Sequence, residues 1–69
     1  MFVYLLTENG DFDAPSYASV HLSLAGAMVR AEAITYDDIA MSEWNETVEN
    51  NYWSNQSRGL CIERLKVED

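Results

Sequence analysis

Ser23-Leu-Ala-Gly-Ala-Met-Val-Arg-Ala-Glu-Ala-Ile-Thr35 is the stretch that decides the fold. Ser23 is a favoured helix N-cap, because its hydroxyl can accept from a backbone N–H that the first turn leaves unpaired. Leu24, Ala27, Met28, Ala31 and Ile34 recur at helical spacing on one face, and Arg30 and Glu32 fall away from it. The spacing predicts a helix over Leu24 to Thr35. Gly26 costs about 1 kcal/mol against Ala inside a helix. Either it meets a packing contact against a sheet, or the helix begins later.

Upstream, residues 1–7 read as a strand. Phe2, Tyr4 and Leu6 point one way and Val3 and Leu5 the other. Both faces are apolar, which places this strand centrally. Asn9-Gly10-Asp11 is a turn signal, and residues 11–16 read as loop because Pro15 is unsuited to a strand interior. Residues 17–22 read as a second strand, with Tyr17, Ser19 and His21 alternating against Ala18, Val20 and Leu22. The two strands form a hairpin.

Downstream, Asp37 or Asp38 can cap a second helix over residues 39–49, either separate from the first or continuous with it. Met41, Trp44 and Val48 would form its apolar stripe, and Glu43, Glu46 and Glu49 its solvated face. Tyr52-Trp53 begins a short strand, residues 55–59 form a turn, and residues 60–67 form the last strand. Leu60 and Ile62 share one face of it, Leu65 and Val67 the other. A β-bulge near Glu63-Arg64, or partial cover on both faces, would reconcile the two phases. The order β-β-α-(α)-β-β predicts a single α+β domain. It would be a small two-layer sandwich with a mostly antiparallel sheet of three or four strands and one main helix packed on it.

The chain has 69 residues, enough for one domain with a small core. Hydrophobic residues at 48% against 23% charged exclude a disordered or low-complexity class. No apolar run reaches membrane-spanning length, and no signal peptide is visible, so the expectation is a cytoplasmic protein. Cys61 is the single cysteine, which excludes a disulfide framework within the chain.

Twelve acids against four bases give a net charge of −8. No base occurs between Arg30 and Arg58, a span that holds Glu32, Asp37, Asp38, Glu43, Glu46 and Glu49. Direct nucleic-acid binding requires the opposite sign, and so does an anionic membrane. A basic protein partner fits.

No catalytic or metal pattern emerges. His21 is the only histidine, so His21 and Cys61 together cannot build a zinc site. Asp11 and Asp13 resemble the start of a calcium loop. Counting from Asp11, however, Pro15, Ser16 and Leu22 occupy the fifth, sixth and twelfth positions, where the loop needs an oxygen ligand, Gly and Glu. The three glycines are isolated, so there is no phosphate-binding loop. The sequence implies no cofactor and no enzyme activity.

Eight aromatic residues are more than one face of so small a sheet can bury. Trp44 and one of Tyr52 or Trp53 are core candidates, because adjacent strand residues face opposite sides. The other of that pair is a candidate partner anchor. The candidate binding residues are therefore Asp37, Asp38, Glu43, Glu46, Glu49, Tyr52 and Trp53.

The layout of the chain resembles small acidic proteins encoded by bacteriophages. The resemblance runs through Val3-Tyr-Leu-Leu-Thr-Glu8, the Asp/Gly-rich hairpin and the Ser-initiated helix with Arg30-Ala-Glu-Ala33. It continues through the Trp-bearing acidic middle to Ile62-Glu-Arg-Leu-Lys-Val-Glu-Asp69. Val20-His21-Leu22 and Gly26 depart from it. It implies no shared activity, only a class that acts by binding host or phage proteins. Some of its members resemble nucleic acid in charge. The expected function is a non-enzymatic acidic protein-binding module that inhibits or redirects a host protein. Two modes are open: charge mimicry against a nucleic-acid-binding or defence protein, or docking through an aromatic sheet face. The alternative is a small self-associating structural domain, a homodimer.

Overall fold

The computed structural model describes residues 1–9, 15–47 and 51–68. The first hairpin pairs β1 (Phe2–Asn9) with β2 (Pro15–His21), and α1 (Leu24–Thr35) follows. A 3₁₀ turn (Met41–Glu43) leads to β3 (Asn45–Glu46). β4 (Tyr52–Asn55), a second 3₁₀ turn (Gln56–Arg58) and β5 (Leu60–Lys66) complete the chain. The strands make one sheet in the order β2-β1-β5-β4-β3, with every pair antiparallel. The α+β class and the central place of β1 agree with the sequence. The five strands correct the expected three or four.

Helix α1 occupies the expected residues. Ser23 Oγ accepts from the Gly26 backbone N–H at 3.0 Å. A side chain on Gly26 would bring its Cβ to 3.1 Å from that oxygen, so the glycine leaves room for the cap. Ala27 and Ala31 are fully buried, and Leu24, Met28 and Ile34 pack around them. Their partners on the sheet are Leu6, Leu60, Ile62 and Trp53, with Trp44 entering from the loop side. The ring of Tyr4 lies 6.1 Å from that of Trp53 at a tilt of 50°, a favourable aromatic geometry.

The second helix is not formed. Its place is taken by the 3₁₀ turn and β3, and Trp44 is already extended at φ −93°, ψ 130°. The stripe that suggested it does not share a side. Trp44 is buried, whereas Met41 is 65% exposed. Val48, the third member, lies outside the described residues. Ser42, Asn45 and Thr47 add little intrinsic preference for helix, so burial of Trp44 against the sheet decides the backbone.

Strand β2 starts at Pro15, two residues earlier than the sequence reading. β2 is an edge strand, and proline is tolerated at the start of one. The Gly10-Asp11 turn and Asp13 lie outside the described residues. β5 carries no bulge, because its register with β1 runs unbroken from Phe2↔Lys66 to Glu8↔Leu60. The irregularity is instead at Glu8/Asn9, where β1 meets β2. Leu60 and Ile62 face the helix, and Leu65 faces the other side of the sheet beside Val3. That second face also carries Leu5, Thr7, Ala18, Val20, Tyr52 and Cys61, none of them fully buried.

Candidate functional site

The acids of the middle segment are organised by the end of α1. Thr35 Oγ1 donates to the Ala31 carbonyl at 2.8 Å and to the Glu32 carbonyl at 3.3 Å, which ties its side chain back onto the last turn. Tyr36 then turns the chain in the left-handed region, at φ 56° and ψ 37°. The Asp37 N–H donates back to the Glu32 carbonyl at 3.2 Å. The Glu32 carboxylate accepts from the Ile39 N–H at 2.8 Å. The segment after the helix is thereby folded against its last turn, and Ile39 packs on the core.

Arg58 holds the next layer. The Asn55 side chain accepts from the Arg58 N–H at 3.3 Å and from Ser57 Oγ at 2.9 Å, which fixes the second 3₁₀ turn. Gly59 closes that turn at φ 66°. From there the guanidinium forks: Nη1 donates to Asp37 Oδ2 at 2.8 Å and Nη2 to Glu43 Oε1 at 3.3 Å. Glu43 Oε2 also accepts from the Ala40 N–H at 2.8 Å. Asp37 and Glu43 are therefore partly committed to holding the loop. The carboxylates of Asp38 and Glu46 have no hydrogen bond or ion pair among the described residues. Glu49 lies outside those residues.

The corner is shaped as well as charged. Val29, Glu32, Ala33, Tyr36, Asp37 and Asp38 line a shallow depression of about 460 Å³. Tyr36 is 96% exposed, so its ring packs on almost nothing in the free chain. A non-glycine residue in the left-handed region is strained by about 1–2 kcal/mol. A fully exposed tyrosine held there gains no packing that would offset this.

Tyr52 and Trp53 take the two sides that strand alternation requires. Trp53 is the buried member at 5% exposure, and Tyr52 the exposed one at 37%. Trp53 is thus a core residue and offers no surface to a partner. Tyr52 lies on the face opposite to α1, apart from the acids that follow the helix. There its hydroxyl donates to Cys61 Sγ at 2.8 Å. The Tyr52 phenol is pushed above its ordinary value, first by that hydrogen bond and then by burial. Around the pair is a second depression of about 280 Å³, lined also by Asn9, Ser54, Gln56 and Gly59. Cys61 pairs in register with Thr7 and His21 with Tyr4, so thiol and imidazole lie on opposite faces and make no nucleophile–base pair. His21 Nε2 is instead 2.7 Å from Ser19 Oγ. Among the described residues no group of three or more His, Cys, Asp or Glu side chains is placed to hold a metal. No helix among them is long and apolar enough to cross a membrane.

No protein-family model, curated protein or solved structure matches the chain. Sequence reasoning named the acids but missed Arg58 and Tyr36. A signal for Arg58 was present, since it is the base that ends the acidic base-free span. Tyr36 gave no signal, because a left-handed helix end is ordinarily announced by Gly or Asn.

The clamp has a pH signature. Asp37 is held below its ordinary carboxyl value of 3.8, first by the Arg58 hydrogen bond and then by the Asp38 N–H. Its contribution to stability is full above that value and is lost as the pH falls through the lower folded one. Arg58→Gln should therefore flatten the acid limb of the stability profile, read as urea midpoints between about pH 6 and about pH 2.5. An acid limb identical to that of the parent protein would show that the clamp does not contribute to folding.

Proposed function

We propose that the chain is a non-enzymatic protein-binding module that presents the acidic corner around Tyr36 to a basic surface on a partner protein. The observation that carries this reading is Tyr36 itself. It is an exposed aromatic ring in a strained backbone position, flanked by Asp37, Asp38 and Glu32. Strain of this kind is tolerated where function requires it. A tyrosine face suits an arginine guanidinium, and neighbouring carboxylates suit its N–H groups. Asp38 and Glu46, whose carboxylates have no partner among the described residues, supply the charge. A net charge of −8 would steer a basic partner in and give fast, salt-sensitive association.

The phage-protein resemblance extends this reading to a phage protein that acts in the host cytoplasm. There it inhibits or redirects a host protein, and a nucleic-acid-binding or defence protein engaged by charge mimicry fits the acids best. Direct nucleic-acid binding does not fit them.

The test is capture by tagged protein from a host bacterial lysate at low and high salt, beside the double variant Asp38→Asn/Glu46→Gln. The expected result is a basic protein retained at low salt, released at high salt and lost with the double variant. A partner that resists salt and is indifferent to both substitutions would overturn the reading and move attention to Tyr52 and the opposite sheet face.

A further inference from the structure

The two outer edges of the sheet differ. β3 ends one side and is only two residues long. β2 ends the other side with seven residues, and its outer edge pairs with nothing among the described residues. Exposed edges are ordinarily blunted by lysine or other charges, by proline or by shortness. β2 reads Pro15-Ser-Tyr-Ala-Ser-Val-His21 and contains no Asp, Glu, Lys or Arg. Its proline stands at the first position, so the six residues after it all keep their backbone donors.

The charge distribution singles out the same place. The chain carries −8, yet no acid occurs between Asp13 and Glu32. That interval holds β2 and most of α1. Its one base, Arg30, lies over the strand, with Nε donating to Tyr17 Oη at 2.7 Å. Val20 is 62% exposed, and Ala18 and Leu22 are also exposed. Two copies of so acidic a chain repel almost everywhere. They approach without facing carboxylates where this acid-free, apolar edge meets itself. A basic partner finds no acid on β2 to pair with, so the charge argues for self-association at this edge.

We infer that β2 is a self-association edge, where two copies pair β2 to β2 antiparallel about a two-fold axis and join their sheets into one of ten strands. An isologous contact of this kind uses the same edge on both copies. The pleat places Ala18 and Val20 beside their counterparts on the open face. A domain of 69 residues gains the buried surface that its size denies it. The inference is independent of the Tyr36 corner, which lies beyond the far end of α1.

Sedimentation of the full chain tests it, over about 1 µM to about 1 mM, the span of weak to moderate affinities. A monomer–dimer equilibrium is expected, and salt should strengthen it, because screening removes the repulsion between two −8 chains. Salt has the opposite effect on capture of a basic partner, so the two readings fail independently. Val20→Lys, at an exposed position, should weaken the dimer by at least roughly tenfold, with the far-UV spectrum unchanged. Ala18→Lys serves as a second probe on the same edge. Amides of β2 should gain hydrogen-exchange protection as concentration rises. A monomer throughout, or a dimer untouched by both lysines, would overturn the inference. Protection of β2 only upon addition of an unrelated extended peptide would also overturn it and assign the edge to peptide capture.

Discussion

Trp53→Ala should remove a large share of the protein's stability, whereas Tyr52→Ala one residue away should leave it almost unchanged. Trp53 sits against Tyr4, shares the core with Leu6, Leu60 and Ile62, and is 5% exposed. Truncating a buried tryptophan costs about 3–5 kcal/mol, because the cavity collapses only partly. A chain of this length has a total stability of about 3–10 kcal/mol at typical values per residue. The substitution therefore removes between about a third of the stability and all of it. Tyr52 points to the opposite face, half in solvent, and its loss should cost about 1 kcal/mol. Urea titration followed by circular dichroism reads both variants on one scale. Trp44 remains as a fluorescence probe of the core in either of them. A Trp53→Ala protein with a cooperative transition within about 1 kcal/mol of the parent would show that the helix does not pack on this face.

That contrast rests on a feature the sequence made legible. Alternation along a strand requires Tyr52 and Trp53 to part, and the only open question was which goes inside. Register answers it: Trp53 is opposite Ile62, and Ile62 is opposite Leu6. Helix α1 was equally legible, because its cap, its apolar spacing and its small buried residues all agree. The misread segment is the one where local signals conflict. Met41, Trp44 and Val48 have helical spacing, but Ser42, Asn45 and Thr47 between them are weak helix formers, and Trp44 is drawn to a core that sequence spacing cannot represent.

The candidate site was legible as composition and illegible as geometry. Its acids are countable from the chain. Their division into structural and free carboxylates is not, because it depends on Arg58 reaching Asp37 and Glu43 across 21 and 15 residues. Contacts over such separations follow from the sheet order. β5 inserts between β1 and β4 and carries the Asn55–Gly59 turn up beside the end of α1.

Tyr36→Gly should make the protein more stable and less able to bind. Relief of the left-handed strain is worth about 1–2 kcal/mol. The added freedom of glycine in the unfolded chain takes back about 0.5–1 kcal/mol. At 96% exposure the ring gives up almost no packing, so the net gain is about 1 kcal/mol. If the corner is the docking site, loss of the aromatic anchor weakens the partner complex by about 2 kcal/mol, roughly thirtyfold. Tyr36→Asn tolerates the same backbone without the ring and should bind as weakly as the glycine variant. Urea midpoints and a titration of the captured partner give the two numbers. A fall in both would make Tyr36 a structural residue. A gain in stability with binding unchanged would remove the corner from the partner interface and leave the strained tyrosine without a functional reason. Opposite signs would tie the strain to the complex, since a position that stabilises the chain when altered yet disables binding is held by the bound state.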